Sequence, residues 1–226
     1  MVTRFAVERR AAPGSAVAGI AFSLALAVAG GVLRFVNTEP ALRTMELAGD
    51  VAFAVVLAAP GLLAILALRD RPSLLVAAGA LELVFAFLLL ISLVGLAFVV
   101  PAVLFFVAAG QARRGAGWPR AVAAVLVTIV LGTVAFFALF AREDPVCWAR
   151  DATTGATVRL EADPFIEGAP ISVTAPPGVS ESGCSSGMVS TAEALASMAL
   201  VGVMLGAAWR ISKPPAAPDE AVATTS

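Results

Sequence analysis

One carboxylate, Glu82, lies inside Leu74–Gly110, a 37-residue stretch that is otherwise almost unbroken in apolar side chains. A carboxyl group at that depth is expensive to ionise, so it marks proton or cation handling, or a contact to a partner subunit. On a helix its neighbours at −4, −3 and +4 are Ala78, Gly79 and Ala86. Small residues on one face identify the side that packs closely on another helix, so Glu82 is expected to face the bundle. The competing reading is structural: a neutral Glu bonded to a nearby Ser, Thr or backbone carbonyl. Relays need chains of ionisable groups. The sequence reveals no second buried one, so the structural reading weighs somewhat more.

Four other constellations bear on chemistry. Cys147 and Cys184, the only cysteines, flank one polar segment. If that segment faces an oxidising compartment they should pair, closing a loop with 36 intervening residues and stabilising it by about 3 kcal/mol or more in the chain-entropy picture. Gly183-Cys184-Ser185-Ser186-Gly187 matches G-x-S-x-G. A nucleophile elbow needs a strand before it, a helix after it and a His to take the proton. The chain has no His, and the motif reads as a turn. Ser190 and Glu193 have the spacing of a capping box opening the last helix. Gly202 and Gly206 form GxxxG in that helix, a helix-packing signal that is expected to serve internal contacts.

Much enzyme chemistry is excluded by composition. With neither His nor Tyr present, there is no imidazole for acid–base work or metal ligation. No phosphate loop, dinucleotide fingerprint, CxxC or metal-spaced cluster occurs, so no catalytic residue, cofactor or metal is assigned. No basic patch interleaved with aromatics points to nucleic acid. The partners expected are the lipid bilayer and another membrane or envelope protein. Arg outnumbers Lys fourteen to one, and Ala, Val, Leu and Gly dominate, as in GC-rich coding of actinobacterial type.

The elements that position these residues follow from hydropathy. The chain has 226 residues, 60% of them hydrophobic and 14% charged, and a mean hydropathy of +0.95. A soluble domain could not cover that apolar surface, and several runs are long enough to cross a bilayer. Helices are expected near 15–33, 51–68, 74–91, 95–111, 121–140 and 191–210. The first could instead be a signal peptide cleaved near Ala27-Val28-Ala29, within residues 1–29; the run continues through Val36, which favours a retained helix. Asp50 is expected to cap the second helix, Pro60 to kink it, and Thr38 with Pro40 to start a short interfacial helix. Pro60 and Pro101 are weak candidates for breaks at a transport site.

Parity decides sidedness. As one helix, Leu74–Gly110 would be roughly 55 Å long, against a hydrocarbon core of about 30 Å. Read as two helices turning near Ser92–Gly95, it yields six crossings with both termini inside. Arg4, Arg9, Arg10, Arg69, Arg71, Arg113, Arg114, Arg120, Arg210 and Lys213 then lie inside, against Arg34, Arg43, Arg142, Arg150 and Arg159 outside, as the positive-inside rule requires. A single crossing would invert that bias. Between the cysteines, 157–161 and 171–175 alternate with period two and read as a hairpin joined by the turn-rich Asp163–Pro170.

The expected fold is an all-α integral membrane protein. A six-helix transmembrane bundle (15–211) carries a small, disulfide-stapled, partly β extracytoplasmic loop (141–189) between helices five and six. It is preceded by a cytoplasmic N-terminus (1–14) and followed by a disordered cytoplasmic tail (212–226). The expected role is a non-enzymatic binding, scaffold or accessory subunit in the cell membrane; the alternative is a small transporter or channel component using Glu82.

Overall fold

The computed structural model describes residues 14–38, 43–69, 71–90, 93–112, 118–139, 146–155, 157–160, 178–185 and 189–213. The N-terminal arginines, Arg113, Arg114, the Trp118 side chain, Pro40, the segment 171–175 and the tail from Pro214 lie outside them.

Six helices dominate: α1 Gly14–Asn37, α2 Arg43–Ala67, α3 Pro72–Leu88, α4 Val99–Gln111, α5 Trp118–Ala138 and α6 Thr191–Ile211. A 3-10 turn, Leu93–Phe98, leads into α4. Among the described residues, five helical segments are long and apolar enough to cross a membrane, the 3-10 turn counting with α4, and the 17-residue α3 is a shorter apolar sixth. Their outward faces are apolar as well. Val28, Val32 and Val36 of α1, Phe87 of α3, Val130, Val134 and Phe137 of α5, and Leu195 and Val203 of α6 are all exposed. Such a belt on helix after helix suits lipid and not water.

The chain divides into two compact units. The first holds residues 1–26, 58–130 and 203–226, and α3 is its most enclosed element. Ten of the seventeen α3 residues are buried, from Ser73 to Ala86. The Leu74–Gly110 stretch is a helical hairpin. Gly79 of α3 lies against α4, where an added Cβ would stand 3.1 Å from the Phe106 ring and 3.2 Å from the Ala102 carbonyl. At the bend, a Cβ on Gly95 would come within 2.6 Å of the Leu89 carbonyl group, so only glycine lets the 3-10 turn close on the end of α3. Pro72 opens α3 at a position where a missing N–H costs nothing. Pro101 likewise sits in the first turn of α4 and breaks no helix, while α2 runs without interruption through Pro60. Arg71, just before α3, stacks its guanidinium 3.3 Å from the centre of the Trp209 ring. It also donates to the Trp209 carbonyl at 2.5 Å and to Ser212 Oγ at 3.2 Å, satisfying orphan acceptors at the end of α6.

The second unit holds residues 27–57 and 131–202. Here α2 begins eight residues before the expected start, so Asp50 is not an N-cap but lies inside the helix. Of the expected interfacial helix, Arg43 onward already belongs to α2, and its expected start at Pro40 lies outside the described residues. Close glycine contacts join α1 to α2, with an added Cβ on Gly31 falling 2.9 Å from Ala54.

The segment after α5 contains an antiparallel sheet in the order β2-β1-β3. The strands are β1 Val146–Asp151, β2 Thr157–Leu160 and β3 Val179–Ser185. The expected hairpin partner at 171–175 is outside the described residues; the observed partner of β2 is β1. Cys147, Trp148 and Ala149 are consecutive and all buried, so the central strand lacks the alternation that identifies strands in sequence. β1 turns into β2 through Asp151. Its Oδ1 accepts from the Thr153 and Thr154 amides, both at 2.8 Å, and from the Thr153 hydroxyl at 2.5 Å. Gly155 closes the turn at a φ of 67°, where glycine carries no steric penalty.

Candidate functional site

Glu82 sits about midway along α3 and is 0% exposed. Ala78, Gly79 and Ala86 are buried with it, and the small face they form receives α4. Across from the carboxyl group is α1, whose Ser23 hydroxyl is the polar group facing Glu82. Ser23 is also 0% exposed. The approach falls short of standard hydrogen-bond geometry, so Ser23 Oγ and both carboxyl oxygens of Glu82 are buried without a well-formed partner among the described residues. α2 closes the third side through Gly61, where an added Cβ would stand 3.1 Å from Ser23 Oγ and 3.1 Å from Leu24 Cδ2. Residues 14–26 of α1, 58–67 of α2 and 93–111 contain no charged side chain. The site is thus a dry acid and a dry hydroxyl in an apolar contact of three helices, an arrangement native proteins rarely leave without a purpose.

A second group of ionisable side chains was not expected. In the other unit, Arg34 of α1 donates through Nε to Asp50 Oδ1 of α2 at 3.0 Å, and its NH2 lies 3.9 Å from Glu46 Oε2. Thr38 Oγ1 donates to Glu46 Oε2 at 3.2 Å, and the guanidinium lies 5.6 Å from the centre of the Phe53 ring. The side chains of Asp50 and Glu46 are only 5% and 8% exposed, and Asp50 Oδ2 has no partner among the described residues. Placing Arg34 and Asp50 in a polar connection hid this pairing. The available signal was Glu46 and Asp50 at i, i+4, which share one face if the helix begins early.

The remaining sequence candidates divide. Ser190 and Glu193 form the reciprocal capping box: the Ser190 amide donates to Glu193 Oε2 at 2.8 Å, and the Glu193 amide donates to Ser190 Oγ at 3.2 Å. Gly183 to Ser185, the first part of the G-x-S-x-G match, belong to β3 and not to a turn. Cys147 and Cys184 are directly opposed across β1 and β3. The sulfur–sulfur bond is not among the described contacts, since the Cys184 side chain lies outside them. For Gly202 and Gly206, expected to serve internal packing, the described residues show no close neighbour. Both are exposed, with no described atom within 4 Å of an added Cβ. The buried seam of α6 is instead Ala194, Ser197, Val201, Met204 and Ala208, a 3-4-3-4 spacing on the opposite face.

These features are those of a multi-pass helical membrane protein with a fully buried acid, Glu82, where three helices meet. Comparison with protein-family models, curated proteins and solved structures found no match for this chain.

Proposed function

We propose that this chain is a non-enzymatic accessory or scaffold subunit of the cell membrane. In this reading both termini are cytoplasmic, and residues 141–189 form an extracytoplasmic platform for another membrane or envelope protein. The observation that carries the reading is the Cys147–Cys184 register of β1 and β3. Directly opposed residues on antiparallel strands bring their Cβ atoms to about 4.5–5.5 Å, close to the range of a disulfide. Such bonds persist in oxidising compartments, so the proposed bond and the proposed sidedness support each other. Among the described residues β2 and β3 are the outer strands of the sheet, and an outer strand is a place where a partner strand can add. The charge bias agrees. Ten basic residues are assigned inside and five outside, the excess of Arg and Lys that the positive-inside rule reads.

The test is mild-detergent purification from the native membrane. A stoichiometric partner is expected, and it should be lost when residues 153–177 are excised. That splice keeps β1 and β3, because the Ala152 amide already donates to the Gly178 carbonyl at 2.8 Å. A partner that survives the excision, or no stoichiometric partner at all, removes the reading.

A second reading is favoured by Glu82 itself: a small transporter or channel component that uses this carboxyl group. A fully buried acid with neither oxygen bonded among the described residues is costly to keep. In proteoliposomes this reading expects a pH-dependent ion flux that Glu82→Gln abolishes, and equal flux in the two proteins excludes it.

A further inference from the structure

We infer that Glu82 and Ser23 form a site for a single proton, and not for a metal cation, enclosed in the contact of α1, α2 and α3. The inference deepens the second reading above by naming the ion, and rests on that reading for its use in transport.

Three observations lead to it. First, both side chains are 0% exposed, and all three of their side-chain oxygens are unpartnered among the described residues. Ser23 Oγ and the two carboxyl oxygens are the three polar side-chain atoms that the described residues bring together at this point. Hard metal ions take six or more oxygens, whereas a proton needs one carboxyl oxygen and one acceptor. Second, the helices are closely packed around the hydroxyl. Gly61 is placed so that even one added carbon would fall 3.1 Å from Ser23 Oγ, and Gly79 is filled against Phe106 one turn away. Third, no described charged side chain is placed to balance a charge. The α1, α2, α3 and α4 segments of this unit carry no ionisable side chain besides Glu82. Its other helical charges are Arg120 of α5 and Arg210 of α6, both exposed. Arg71, ahead of α3, is committed to Trp209 and Ser212. A carboxylic acid O–H can donate to Ser23 Oγ, and the hydroxyl can donate back to the carboxylate once the proton leaves. Ser23 is thus a positioning residue that serves both states.

A hydrophobic carbodiimide tests this directly. The carboxylic acid adds across one C=N bond: its proton goes to nitrogen and its oxygen to carbon. The acyl group then migrates from oxygen to nitrogen, giving a stable N-acylurea with no atom lost and no redox change. The full chain in neutral lipid vesicles is treated with dicyclohexylcarbodiimide over a pH series, with and without sodium or potassium, and the adduct is mapped by mass spectrometry. The expected result is modification at Glu82 that falls about tenfold per pH unit once the site empties and is unaffected by either cation. Glu82→Gln should lose the adduct, and Ser23→Ala should keep it while moving the midpoint of the profile. Absence of a Glu82 adduct at pH 6, protection by sodium or potassium, or an unmoved midpoint in Ser23→Ala each overturns the inference. Flux measured in the same vesicles is a separate readout: an adduct without flux leaves the proton site standing and removes the transport reading.

Discussion

Arg34 is the residue on which the second unit's electrostatics depend. Two carboxylates of α2 face one guanidinium, and both are almost fully enclosed. Removing the cation strands buried negative charge, which typically costs about 3–5 kcal/mol. Arg34→Gln is therefore expected to lower the thermal midpoint in detergent clearly. Asp50→Asn added to Arg34→Gln should recover part of the loss, a coupling that a double-mutant cycle measures. Equal midpoints for the single and double variants would mean that the pair is not coupled. A different acid governs the sheet. The Thr153 hydroxyl, with the Thr154 and Thr153 amides, holds the exposed Asp151 carboxyl down to about 2. A depressed folded value means that the contribution is complete above the ordinary carboxylate range and is lost as pH falls from about 4 towards 2. Carboxyl NMR should find Asp151 titrating near 2, and a midpoint near 4 would contradict the turn. Glu82 was legible in the sequence as a lone acid in an apolar run. Ser23 and Arg34 were not, because their partners are set by how helices meet and not by local spacing.

Among the elements, glycines separate the helix contacts that matter from those that do not. An added Cβ on Gly95 collides with the backbone of Leu89 and Ala86, at 2.6 and 2.7 Å. Backbone cannot step aside as a flexible side chain does, so Gly95→Ala should cost about 1–3 kcal/mol, the range for overpacking. Gly202 and Gly206 meet nothing described within 4 Å. There Ala should be neutral or stabilise by about 0.5–1 kcal/mol through helix propensity. Thermal midpoints of the three variants in one detergent decide the point: a loss at Gly202 or Gly206 comparable to that at Gly95 would restore the internal contact that the motif suggests. The helices themselves were readable because each is a long apolar run with recognisable ends. The Ser190–Glu193 cap shows how far a spacing rule reaches when all its groups lie within one turn. The sheet was harder. β1 buries three successive residues, and β3, Val-Ser-Glu-Ser-Gly-Cys-Ser, is polar with a central glycine, so neither strand carries a period-two signal.

For the whole molecule, the hairpin of α3 and α4 is the hinge of the threading. If Leu74–Gly110 enters and leaves on one side, the positive-inside bias puts the cysteine-bearing segment outside; if it crossed once, that segment and the chain's C-terminal end would exchange sides. Two reporter cysteines distinguish these cases. Thr154, in the exposed turn after β1, and Lys213, just beyond α6, are both exposed, so either position tolerates a cysteine without disturbing a packed face. With a membrane-impermeant maleimide on intact cells, Thr154→Cys is expected to react at once, and Lys213→Cys only after permeabilisation. The reverse pattern would establish the single crossing and remove the extracytoplasmic platform with it. The unaltered chain supplies the internal control. With Cys147 and Cys184 joined across β1 and β3 it should take no maleimide, and it should become reactive from outside after a membrane-impermeant reductant. Reaction before reduction would remove the disulfide, leaving the threading to be decided by the two reporters alone.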